Sequence, residues 1–394
     1  MPDHPKPDDS KPNGRVIPIG EPWRLHLTRG LEALRRGDTH GAEEHLRRAW
    51  ELAPEHPDVM LALARALRSR GALDEAVALL EVVVGAQPQR LAPAALLART
   101  LGLDLGQRVR AFELLHRSLE FHPEGAELHV LRGELLLEDN NIEAARGAFA
   151  AALALENASE LVHSTAQAGL ARCENAEGIM LSEDGDSERA IFAFKRSADL
   201  DPAWSAPLVN LGVVFERLER LPRAVEAFQD ALLRDAENPV AMFNLGSVTH
   251  QLGDLDRALE AYEGLYQLVP DYPGLRVALA NVLGDRRDFD NAIALLLEEL
   301  EISPDAVGAW NSLGLAYTCA GNTARGEECL HEALARDPES FDAMHNLAVI
   351  YTSQARLDDA RAMLRRALTL DDQRTRTLLR EDESLAPLRA LVEL

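Results

Sequence analysis

The chain has 394 residues, a formal net charge of −24 and an isoelectric point near 4.9, so it lacks the basic stripe that a phosphate-backbone binder needs. This argues against nucleic acid as a partner and suits a soluble scaffold with basic partners. No stretch reaches the roughly 20 apolar residues of a membrane-spanning helix, and aromatic residues are only 5% of an otherwise Ala-, Leu-, Glu- and Arg-rich, helix-forming composition.

Residues 1–22 are rich in Pro, Asp and Lys and are expected to be a disordered tail. They carry no apolar core of signal-peptide length, so the protein is read as cytoplasmic. Val16-Ile17-Pro18-Ile19 is a short apolar patch within this tether. Arginine greatly outnumbers the three lysines (Lys6, Lys11, Lys195), which reads as GC-rich, bacterial coding.

From residue 23 a beat of about 34 residues runs through the chain. Alanines fall at 42, 76, 111, 145, 190, 224, 258, 292 and 360, with Gly326 in the remaining slot. Small residues lie twelve positions earlier (Gly30, Gly133, Gly212, Gly246, Gly314) and prolines twelve later (Pro54, Pro88, Pro202, Pro304). A fixed period of this length means stacked copies of one supersecondary unit. The units are 23–56, 57–90, 92–125, 126–159, 171–204, 205–238, 239–272, 273–306, 307–340 and 341–374.

Each unit predicts two helices. In 239–272, Met242, Leu245 and Gly246 share a face at helical spacing, Gly253-Asp254 breaks the helix, and Pro270 stops the second run. Small residues at places eight and twenty mark where the two helices cross. The apolar residue at place twenty-four (Phe149, Phe228, Tyr262 and equivalents) is expected to face the next unit.

Two places break the pattern. Arg99 occupies a small-residue slot in 92–125, which predicts a splayed helix pair. Eleven extra residues, 160–170, lie in a run without proline; they are expected to be helical, either lengthening the first helix of unit five or forming an extra helix between units, and to divide units 1–4 (23–159) from units 5–10 (171–374). Residues 375–394, with Leu378, Leu379, Leu385, Leu388 and Leu391, predict a helix capping the last open face.

Trp310-x2-Leu313-Gly314-x2-Tyr317, followed by Ala333 and Pro338, resembles the first-helix signature of the tetratricopeptide repeat family. The resemblance covers about nine-tenths of the chain. It implies an all-α right-handed superhelix with about ten repeats, whose inner face holds protein or peptide partners.

By helical geometry, places two, five, six, nine, twelve and thirteen line that inner face. In the C-terminal half they read polar: Asn210, Asn244, His250, Gln251, Asn281, Asn311, Ser312, His345 and Asn346. Asparagine both donates and accepts, which suits a peptide backbone. Asn210, Asn244 and Asn346 at place six resemble the asparagine ladder of protein O-GlcNAc transferases, interrupted here by Ala278 and Ser312. In the N-terminal half the same places read apolar: Leu27, Leu31, Leu61, Leu96, Leu97, Val130 and Leu131. Such a groove implies an amphipathic partner, self-association, or closure by the irregular units. The carboxylate clamp of the family's co-chaperone members is not assembled, since places five and six of the last six units hold no Lys or Arg.

The chain carries no HExxH, GxxxxGK[ST], GxGxxG or GxSxG, and its 12 histidines are scattered. Cys173, Cys319 and Cys329 are odd in number without metal-ligand spacing, and read as reduced, packed thiols. The expectation is a non-catalytic adaptor or scaffold with no cofactor or metal, or else a regulatory or targeting subunit of a separately encoded enzyme such as a glycosyltransferase or kinase.

Overall fold

A computed structural model describes residues 21–156 and 158–393, the last four of these by backbone alone. Every described element is helical. Ten helix pairs follow one another, among them Pro22–Arg35 with Thr39–Leu52 in repeat one, Pro239–Gln251 with Leu255–Leu268 in repeat seven, Leu275–Asp285 with Phe289–Ile302 in repeat eight, and Val307–Cys319 with Thr323–Arg336 in repeat nine. Residues 1–20 of the expected tail, and Asn157, lie outside the described residues. Pro22 is already helical, because a first-turn proline gives up no hydrogen bond.

In six of the repeats one contact sets the crossing of the pair. The place-eight glycine lies under the place-twenty-four side chain of its own repeat: a Cβ on Gly246 would fall 2.5 Å from the Tyr262 ring, and one on Gly178 would fall 2.7 Å from Phe194. The place-twenty-four residue was expected to face the next unit. That side chain also packs within its own repeat, where the place-eight glycine leaves room for it. Phe149 is held on both sides, by Gly133 of its own helix pair and by Gly169 of the following helix.

The turn inside each pair ends in a left-handed residue, and Asp38, Asn141, Asp186, Asp254, Asp288 and Asn322 then cap the second helix through their side chains. Arginines join successive repeats. Arg47 binds both Glu75 oxygens at 2.7 and 2.8 Å, and Arg374, in the C-terminal helix Asp372–Glu381, ties that helix to repeat ten by meeting Asp342 at 2.6 Å while covering the Phe341 ring.

Arg99 does not occupy the small-residue slot. Repeat three starts at residue 91, and its burial pattern over 91–100 matches that of 341–350, so fully buried Ala98 takes the slot. The extra residue is absorbed by a π-helical turn, Thr100–Asp104, which brings Gly102 against Leu135 and Ala111. Arg99 lies one place beyond the slot and pairs with Glu134 at 2.9 Å.

Residues 160–170 are helical, as the absence of proline predicts, and of the two expected arrangements they lengthen the first helix of repeat five. They begin one 24-residue helix, Glu160–Glu183. Its first part packs Val162, Ala166, Leu170 and Cys173 on repeat four, and its second part serves as the first helix of repeat five. The chain divides into two compact units within this helix, residues 1–177 and 178–394.

The C-terminal segment covers repeat ten with Leu379, Leu385 and Leu388, all buried against Leu364 and Ala367. Leu378 is half-buried, and the side chain of Leu391 lies outside the described residues. The segment is two elements and not one helix. An α-helix spans Asp372–Glu381 and a 3-10 helix spans Glu383–Glu393, where Pro387 precludes regular α-helical bonding.

Candidate functional site

In the second unit a cleft of about 320 Å³ opens on the first helices of repeats seven to nine. His250, Asn281, Asn311 and Ser312 line it, as expected, over a floor that includes Phe289, Leu315 and Ala280. Asp285 and the exposed thiol of Cys319 stand at its edge. Three repeats therefore converge their inner-face polar groups on one hollow, which can donate to and accept from a peptide backbone.

Several expected ligand groups are engaged within the protein. Place twelve of one repeat bonds place thirteen of the next in three successive rungs. Arg217 donates to Ser182 (2.8 Å), Gln251 donates to Glu216 (2.8 Å), and a His250 ring nitrogen meets Asp285 at 2.7 Å. Asn346 donates to Asn311 at 3.0 Å, fixing the amide that faces the cleft. His345 meets Asp382 of the C-terminal segment at 3.1 Å. Burial opposes ionisation of Asp382, yet hydrogen bonds from Ser384 and His345 hold its carboxyl below the ordinary aspartate range. Asn210 and Asn244 are half-buried at place six and do not line this cleft. The rungs leave a sequence signal, polar pairs 35 residues apart at adjoining places, which reading one place at a time misses.

The expected apolar groove of the first unit is partly core, while Leu31, Leu96, Val130 and Leu131 also line hollows on its inner face. Leu61, Leu97, Val130 and Leu131 are buried, and Leu27, Leu31 and Leu96 are half-buried against the same core. Leu97 moves off the inner face because the repeat starts one residue earlier, at 91. Leu131 packs with Leu128 and Leu135, and Val130 lies against the cluster that Val162 completes.

Another cleft, of about 940 Å³, lies between the second helices of repeats seven and eight, on the opposite side of the helix pairs. Leu259, Leu279, Leu283 and Leu295 form its floor, and Glu260, Glu263 and Glu298 stand on its walls with no cationic partner among the described residues. Gly264 and Ala294 leave it open, and a Cβ on Gly264 would meet nothing within 4 Å. The small residues at these two second-helix places are the signal that sequence reading passed over.

Burial pushes the thiols of Cys173 and Cys329 up to about 11. Among the described residues no group of three or more His, Cys, Asp or Glu side chains is placed to hold a metal ion, and no helix is long and apolar enough to cross a membrane.

Tandem helix pairs that cross where a small residue of the first helix lies under a larger one of the second define an all-α superhelical repeat fold. Family models described as "Tetratricopeptide repeat" match residues 33–100 and 317–379, and again 103–160, 209–273 and 277–318. The chain belongs to the tetratricopeptide repeat family. No curated protein sequence matches it. Among solved structures it is similar to the hetero-tetramer Cut9–Hcn1 of the APC/C (14% identity, 94% of this chain and 96% of that one, TM-score 0.47) and to yeast Tom70 (16%, 94% and 99%, 0.41). It is also similar to YrrB, titled a TPR protein with an unusual peptide-binding site (20%, 50% and 97%, 0.38).

Proposed function

We propose that the protein is a non-catalytic adaptor that binds a peptide segment of a partner protein in the cleft of repeats seven to nine. The observation that carries this reading is the convergence of Asn281, Asn311 and Ser312, from two successive repeats, over an apolar floor. The amides would pair with the peptide backbone while Phe289 and Leu315 receive an apolar side chain. The charge of −24 and the unpaired carboxylates of the outer cleft support a partner with a basic surface elsewhere on it.

A peptide selected on the full-length protein from a displayed library tests the site. Replacing Asn281, Asn311 and Ser312 together with alanine should weaken its binding at least tenfold, since each lost hydrogen bond is worth about 1 kcal/mol and tenfold corresponds to about 1.4 kcal/mol. Alkylating Cys319 with a bulky maleimide should compete with the same peptide. Unchanged affinity in both experiments would remove the cleft from consideration.

A further inference from the structure

The inner face of the first unit holds a second cleft of different chemistry. Two adjoining hollows, of about 480 and 280 Å³, share Arg65 and Leu96. Leu31, Leu34 and Leu96 give them an apolar floor, each half-buried and packed from beneath by the core. Their rim is cationic. Arg68 is held by Asp104 at 2.5 Å and Arg99 by Glu134 at 2.9 Å, so both guanidinium groups are fixed in place. Arg35 and Arg65 are exposed and have no carboxylate within salt-bridge distance among the described residues. One carboxylate, Glu127, lines the far end. Arg65 and Arg99 occupy place nine of successive repeats, so the positive charges follow the groove from repeat to repeat.

We infer that this groove binds an acidic peptide segment of another protein, with leucine-type side chains on Leu31, Leu34 and Leu96 and carboxylates on Arg35 and Arg65. The partner's chemistry follows from charge complementarity. In a chain of net charge −24, two unpaired guanidinium groups beside an apolar floor select a ligand with carboxylates next to its apolar anchors. Arginine suits that task because its planar fork grips both carboxylate oxygens. This site is independent of the polar cleft in repeats seven to nine, and either can fail without the other.

The test uses full-length protein and two labelled synthetic peptides of identical leucine spacing, one with glutamate and the other with lysine at the remaining positions. In fluorescence anisotropy the glutamate peptide should bind at least tenfold more tightly than the lysine peptide, and its affinity should fall as salt is raised. The double substitution Arg35→Glu with Arg65→Glu should invert that order while leaving the circular dichroism spectrum unchanged, since both side chains are exposed. Should the reversal perturb folding, Arg35→Gln with Arg65→Gln should abolish the preference without inverting it. Equal binding of both peptides, binding of neither, or a preference that survives both substitutions would overturn the inference. So would sedimentation showing a dimer that the reversal dissolves, because a second copy would then be the occupant.

Discussion

Within every helix pair the chain turns through a left-handed residue. Six of these ten residues are glycine (37, 71, 106, 185, 253 and 321), and the other four are Asn140, Glu219, Arg287 and Ala355. The left-handed region costs an L-residue roughly 1–2 kcal/mol, and the added freedom of glycine in the unfolded chain takes back up to about 1 kcal/mol. Ala355→Gly should therefore stabilise repeat ten by roughly 0.5–1 kcal/mol, read as a higher urea midpoint with an unchanged slope. A lower midpoint would mean that the Ala355 methyl makes a contact worth more than the strain. The cysteines give a second prediction. The buried thiols of Cys173 and Cys329, raised to about 11, hold almost no thiolate at pH 8, whereas Cys319 is exposed. Native protein should react with one equivalent of a thiol reagent, at Cys319, and with three in denaturant. At this scale the packing residues were legible, because glycine and alanine at fixed places have one reason to recur. The inner-face apolar residues divide: Leu97 packs as core, while Leu131 is buried yet still lines a hollow with Leu96, and spacing alone does not tell a groove floor from a core.

Among the elements, the irregular ones follow from single insertions. The 35-residue interval between Ala76 and Ala111 signals one extra residue in repeat three, but placing its start at 92 put Arg99 in a slot that Ala98 fills. The proline-free run after residue 159 correctly announces a helix; its continuity to Glu183 depends on Gly169 and Gly178 each lying under a phenylalanine, a tertiary fact. The C-terminal cap carries the element-scale prediction. Leu379, Leu385 and Leu388 are buried on repeat ten, and burying a leucine is worth roughly 1.5–3 kcal/mol against a typical net stability of about 5–15 kcal/mol. Truncation after Asp371 should fray repeat ten and promote aggregation, seen in light scattering and hydrogen exchange. A monomeric truncation with an unaltered melting curve would make the segment a dispensable tail. Acid should loosen the same contact. Asp382 is held below its ordinary range in the folded state, so its contribution is complete above the unfolded value near 3.9 and is lost as pH falls through the lower folded value. Asp382→Asn should remove that acid-dependent part and leave the neutral-pH fold in place.

Across the whole molecule, stability is built from neighbours. Within each unit the substantial contacts join helices of the same or adjoining repeats, the first helices of successive repeats included, and reach no further along the chain. An array of this kind behaves approximately as a sum of repeat and interface terms, so a lesion spreads only as far as those interfaces carry it. Phe228 is fully buried on Gly212 in the second unit, and Leu63 is fully buried in the first. Phe228→Ala should cost about 3–5 kcal/mol and Leu63→Ala about 2–5 kcal/mol, through loss of transfer energy and the cavity left behind. Since the two sites share no packing partner, their effects should not couple beyond about 0.5 kcal/mol. Hydrogen exchange followed by mass spectrometry separates the two units directly. Phe228→Ala should strip protection from Ser187–Leu200, Ala206–Arg217 and Leu221–Arg234 while Pro57–Ser69 and Leu73–Ala86 keep theirs, and Leu63→Ala should do the reverse. Protection lost evenly from both ends in either variant would mean that the long helix Glu160–Glu183 transmits unfolding across the boundary within it, and that the array melts as one cooperative body.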